Sequence, residues 1–128
     1  MKLLLDTHAF LWFIGNDPRL SDDAQLAIES PANQKWVSIA TCWEIAIKSG
    51  LGKLQLADPV EVFLPREIAV NRFSLLPIEL RHATFVAGLA NHHRDPFDRL
   101  LIAQASIESL QIVGCDAAFD AYGVSRLW

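Results

Sequence analysis

The sequence predicts an α/β fold: a parallel sheet covered on both faces by helices. Three observations carry that expectation. Short apolar runs of strand length alternate with helix-length segments along the chain. The first run is apolar at every position rather than at alternate ones, as a central strand of a covered sheet requires. Two runs end in aspartate, at the edge where such folds bind ligands. With 128 residues and no linker, repeat or charge run, one domain over residues 1–128 is expected.

The elements follow in order. Residues 2–6 form a short strand ending in Asp6. Thr7 to Ile14 is an apolar helix, broken by Gly15-Asn16-Asp17-Pro18. Ser21 caps a helix to about Glu29. Lys35 to Ile39 is the second strand, and Ala40 to Ser49 a helix closed by Gly50 and Gly52. Asp58-Pro59 opens a helix to about Val70, with Pro65 as a candidate break. Phe73 to Pro77 is the third strand and Glu79 to Ala90 a helix. After a polar loop, Asp95-Pro96 opens a helix to Ser109. Leu110 to Gly114 is the fourth strand, and Val124 to Leu127 is a candidate edge strand.

Composition narrows the function. Charged residues make up 20%, and 12 Gly plus Pro exclude disordered and collagen-like classes. No apolar run approaches the ~20 residues of a spanning helix, and the N-terminus lacks a signal-peptide stretch, so a cytoplasmic protein is expected. Cys42 and Cys115 lack zinc-site spacing and read as buried reduced thiols. Counting Gly and leaving out Tyr, about 55% of residues are apolar, above the usual ~45–50%. That excess points to an associating surface, with Trp12, Phe13, Trp36 and Trp43 as candidates. The net charge of −4 argues against a simple basic nucleic-acid-binding module.

The acids carry the chemistry. Asp6, Asp95 and Asp116 each suit a helix cap. In the helix from Ala40, the residues Thr41, Glu44 and Lys48 form one narrow polar stripe. Read alone, it is best explained as a solvated stripe with a Glu44–Lys48 pair. Asp98 shares a helix face with Ile102 and Ala105, so it points toward the core and needs a partner, for which a cation is a candidate. His82, His92 and His93 are weak signals. Together, Asp6, Glu44, Asp98 and Asp116 can converge at one sheet edge, where their repulsion calls for cations. Oxygen ligands without Cys or His point to magnesium, with manganese as the alternative. Such a site activates water for attack on a phosphodiester. Without these four acids the chain is neutral.

The blocks LLLDTHAFLW, VSIATCWEIAIKSGLGKLQL, HHRDPFDRLLIAQA and IVGCDAAFDAYG resemble the PIN domain, specifically VapC-type toxins of toxin–antitoxin pairs, over essentially the whole chain. The resemblance implies a three-layer α/β/α sandwich with a central parallel sheet of four or five strands. It implies a magnesium-dependent endoribonuclease acting on RNA, a cognate antitoxin that occludes the site, and a homodimer. By position, Asp6, Glu44, Asp98 and Asp116 match the family's catalytic, metal-binding quartet, and Thr7 matches the hydroxyl residue after the first acid. Arg99 is a candidate for substrate phosphate or for structural anchoring. Asp95 lies in the DPFDR block outside the quartet.

Competing readings are another metal-dependent phosphoester hydrolase, acting on DNA or mixed substrates, and a non-catalytic domain. A receiver-type domain would want an aspartate after the third strand and a lysine after the last, yet FSLLP ends without an acid and residues 124–128 hold no lysine. An inactive PIN-like module would lack a quartet member, and none is missing.

Overall fold

A computed structural model describes residues 1–92 and 94–128; His93 lies outside the described residues. Five strands, β1 (Lys2–Leu5), β2 (Gln34–Ser38), β3 (Ser74–Leu76), β4 (Gln111–Val113) and β5 (Arg126–Leu127), form one sheet in the order β3-β2-β1-β4-β5. Every pairing is parallel. Among the described residues six α-helices connect them: α1 (Thr7–Ile14), α2 (Asp22–Glu29), α3 (Ile39–Gly50), α4 (Val60–Val70), α5 (Leu80–Phe85) and α6 (Pro96–Glu108). Short 3₁₀ turns span Val86–Gly88 and Ala117–Tyr122.

The unbroken apolarity of β1 has the expected cause. Leu3 and Leu5 enter a core with Phe10, Ile28, Ile45 and Phe63 on one face of the sheet. Leu4 enters another with Leu101, Ile102, Ile112 and Phe119 on the opposite face. The three-layer sandwich is therefore present, with five strands. The fully buried Ser38 and Gln104 tie β2 to α6, the Ser38 hydroxyl donating to Gln104 Oε1 at 2.5 Å.

Two helices depart from expectation. α4 runs through Pro65 unbroken. Pro65 and Glu61 are exposed, so water can take the Glu61 carbonyl that the missing N–H leaves behind. The helix expected to reach Ala90 instead ends at Phe85. Arg99 reaches across and donates to the carbonyls of Val86, Leu89 and Ala90 at 3.2, 3.3 and 2.9 Å. These contacts fasten the turn to the start of α6 and satisfy carbonyls that a continuing helix would have used.

The sheet order reverses at β1: β2 lies on one side and β4 on the other. That switch leaves a crevice beyond the carboxyl ends of β1 and β4. Among the described residues, no helix is long and apolar enough to cross a membrane.

Candidate metal centre

Beyond the ends of the strands lies a cavity of about 100 Å³. Its walls include Asp6, Glu44, Asp98 and Asp116, so the chain brings all four acids of the expected quartet together. They arrive from separate elements: the end of β1, the middle of α3, the first turn of α6 and the end of β4. Thr7, His8, Lys48, Asp95 and Cys115 complete the lining.

Three of these aspartates cap helical turns. Asp6 Oδ1 accepts from the Ala9 amide at 2.8 Å, at the N-terminus of α1. Asp95 Oδ1 accepts from the amides of Phe97 and Asp98 at 2.8 and 3.1 Å, with Pro96 opening α6. Asp116 Oδ1 accepts from the Ala118 amide at 2.9 Å. Capping and cavity lining do not compete, because a carboxylate offers about four lone-pair sites and each cap occupies one oxygen. In a parallel sheet the helices start at the carboxyl edge, so their caps gather there.

Burial pushes the Asp6 carboxyl up to about 6. The Ala9 amide and His8 oppose that rise, while the charges of Asp116 and Glu44 add to it. The close approach behind this burial depends on Gly114, where a Cβ would stand 2.5 Å from Asp6 Oδ2 and 3.0 Å from its Cγ. Gly114 is thus a site residue that motif reading passed over; its signal was its place two residues before Asp116.

α3 inverts the expectation for its polar stripe. Thr41 is 0% and Glu44 5% exposed. The stripe faces inward, and the exposed face is apolar: Ile39, Trp43, Ile47 and Leu51, at four-residue spacing. The Thr7 hydroxyl donates to Glu44 Oε1 at 2.7 Å, and Lys48 Nζ stands 2.5 Å from Oε2. The bond to Glu44 holds the Lys48 ammonium above its usual range; burial opposes this, and the charges of Glu44, Asp95 and Asp98 reinforce it. An apolar wheel suggests one buried face, and nothing in it distinguished a helix clamped over a polar cavity.

Arg99 is absent from the cavity lining. Its bonds to the Val86, Leu89 and Ala90 carbonyls are those of an anchor. Of the four aromatic candidates for an associating surface, Phe13 and Trp36 are partly buried against the two cores, Trp12 packs on one core while lining a groove beside the site, and Trp43 is 59% exposed.

A second cluster lies elsewhere. Glu79, His82 and Glu108 have ligand atoms within 4.8 Å of one another. His82 is fully buried; its Nδ1 accepts from the Glu79 amide at 2.9 Å and its Nε2 lies 3.0 Å from Glu108 Oε1. Arg81 bonds both glutamates. Each imidazole nitrogen is engaged and the acids already hold a cation, so the cluster ties α5 to α6. His92 packs edge-on against Tyr122, away from the cavity lining.

The donor set of the cavity suits a hard divalent cation: carboxylate oxygens on several sides, and a buried Asp6 whose ionised form the chain leaves undercompensated. Asp6, Glu44, Asp98 and Asp116 are the residues that could hold it.

No curated protein gives a significant sequence match. The fold is close to those of several solved structures. A chain of VapBC2 from Rickettsia felis, bound to a DNA fragment from its promoter, superposes with a TM-score of 0.73 at 15% identity, covering 99% of this chain and 98% of that one. DNA-bound VapBC from Salmonella typhimurium gives 0.69 at 17% identity, covering 99% and 97%. FitAcB from Neisseria gonorrhoeae gives 0.67 at 19% identity, covering 98% and 96%. The sequence itself matches the PIN domain over residues 3–124. With the parallel sheet, the switch-point crevice and the four converging acids, this places the chain in the PIN domain family.

Proposed function

We propose that this chain is a magnesium-dependent endoribonuclease, with manganese able to substitute, that acts in the cytoplasm as the VapC-type toxin of a toxin–antitoxin pair. The observation that carries the reading is the convergence of Asp6, Glu44, Asp98 and Asp116 on one small cavity at the switch point of the sheet. Family membership and the likeness to chains of VapBC complexes support it. A divalent ion held there would supply charge neutralisation and an acidified water. The chain's own part is to fix the carboxylates, through the helix caps on Asp6 and Asp116 and the Thr7 and Lys48 bonds to Glu44. In the reaction a water oxygen bonds to phosphorus and the bond from phosphorus to the 3′ oxygen breaks. One water proton passes to a carboxylate or to solvent, and the leaving 3′ oxygen is protonated, giving 5′-phosphate and 3′-hydroxyl ends. Purified protein should therefore cut RNA in magnesium and stop in chelator. Asp6→Asn, Glu44→Gln, Asp98→Asn and Asp116→Asn should each abolish cleavage while staying folded. Wild-type cleavage by Glu44→Gln, or cleavage of DNA in preference to RNA, would refute the assignment.

The partner surfaces have separate supports. A groove of about 610 Å³ between α1, α3 and α4 is lined by Leu11, Trp12, Leu54, Leu56 and Phe63, and it shares Thr7, His8 and Lys48 with the acidic cavity. An antitoxin segment lying there would cover the mouth of the site. The exposed α3 stripe, where Trp43 packs edge-on against Phe97, is the surface we assign to a second copy of this chain in a homodimer.

A further inference from the structure

We infer that Lys48 is a catalytic residue that contacts the scissile phosphate; the inference rests on the nuclease reading above and extends it. Five carboxylates line the cavity, those of Asp6, Glu44, Asp95, Asp98 and Asp116. A phosphodiester approaching them meets repulsion beyond what a bound ion offsets. Among the described residues lining the cavity, Lys48 is the one lysine or arginine. Its position is built rather than incidental. Glu44 is buried and pinned at Oε1 by Thr7, so Oε2 gives Lys48 a fixed seat at 2.5 Å. The side chain is still 43% exposed, so it holds that seat without being sealed from solvent.

Location adds a second argument. Lys48 lines both the acidic cavity and the long groove beside it, and so stands where one opens into the other. A strand passing from groove to cavity would cross the wall that Lys48 shares with Thr7 and His8. Two other cations of the groove are committed to acids outside the cavity, Arg19 to Asp17 and Arg66 to Asp58 and Glu67, and a third, Lys53, lines the groove but not the cavity. A lysine has three N–H donors. One serves Glu44, and a non-bridging phosphate oxygen is a fitting acceptor for another. In the hydrolysis described above Lys48 neither gains nor loses a proton; it neutralises charge that grows on the phosphoryl oxygens as water adds and the 3′ oxygen leaves.

The test uses the full chain, a defined RNA that it cuts, and magnesium at saturation. Lys48→Met should lower kcat/KM by about 100-fold or more, the scale seen when one such donor is removed. Lys48→Arg should restore cleavage to within about ten-fold, because it returns a cation with N–H donors. Manganese affinity of Lys48→Met, measured calorimetrically, should match or exceed the wild type, because Glu44 loses a competing cation. Lys48→Gln serves as the second variant should Lys48→Met misfold. Wild-type rates in Lys48→Met or Lys48→Gln at saturating magnesium would overturn the inference, as would loss of cleavage explained wholly by weaker metal binding. Failure of the wild type to cut RNA would instead refute the nuclease reading, so the two failures are distinguishable.

Discussion

Replacing Asp6 by asparagine should stabilise the metal-free protein, by an amount that depends on pH. Asp6 is 5% exposed, and its carboxyl titrates near 6 in the fold instead of at the usual 3.8. Between those values the unfolded chain releases the proton while the folded chain keeps it. The folded state then binds more protons, so rising pH favours unfolding. The displacement corresponds to about 3 kcal/mol, reached once pH exceeds 6. Asparagine keeps the cap, since its side-chain oxygen can still accept from the Ala9 amide. Urea unfolding in chelator should find the two proteins equal near pH 4 and Asp6→Asn more stable by up to about 3 kcal/mol at pH 7. Magnesium should narrow that gap by binding the folded wild type. A variant no more stable than wild type at pH 7, or a gap that fails to grow between pH 4 and 7, would mean that Asp6 is not destabilised by its burial.

Gly114→Ala should abolish RNA cleavage and cost about 1–3 kcal/mol, because the added methyl would lie 2.5 Å from Asp6 Oδ2 and the capped aspartate cannot retreat. Retained activity in the cleavage assay would count against it. Asp95→Ser should keep most activity, since serine also caps, whereas Asp95→Ala should lose ~0.5–2 kcal/mol in urea unfolding. A folded but inactive Asp95→Ser would make Asp95 a site residue instead. Trp43→Glu should give a monomer by light scattering at micromolar concentration without disturbing the core, as Trp43 is 59% exposed; an unchanged mass would exclude the α3 stripe as the association surface.

Much of this architecture was readable from local chemistry. β1 shows its two-sided burial directly as LLL, and Ser21 and Asp95-Pro96 mark helix starts where capping rules put them. Asp6, Asp98 and Asp116 could be placed because strand ends and a helix start share one sheet edge. Glu44 could not be placed from its helix alone, since hydrophobic periodicity reports which face differs from the rest, not which face is inside. α3 carries its polar stripe inward and its apolar stripe outward. Arg99 shortens α5 through contacts with carbonyls nine to thirteen residues away, which no propensity records. Gly114 matters through a clash that only the folded approach of β4 to Asp6 creates.

The central claim is that the four-carboxylate cavity, rather than the Glu79–His82–Glu108 cluster, is the metal centre. Soaking crystals of the protein in manganese and recording anomalous diffraction tests it most directly. A peak is expected among Asp6, Glu44, Asp98 and Asp116, lost in Asp98→Asn, with none beside His82. A peak at His82, or an empty cavity at manganese concentrations that support cleavage, would contradict it.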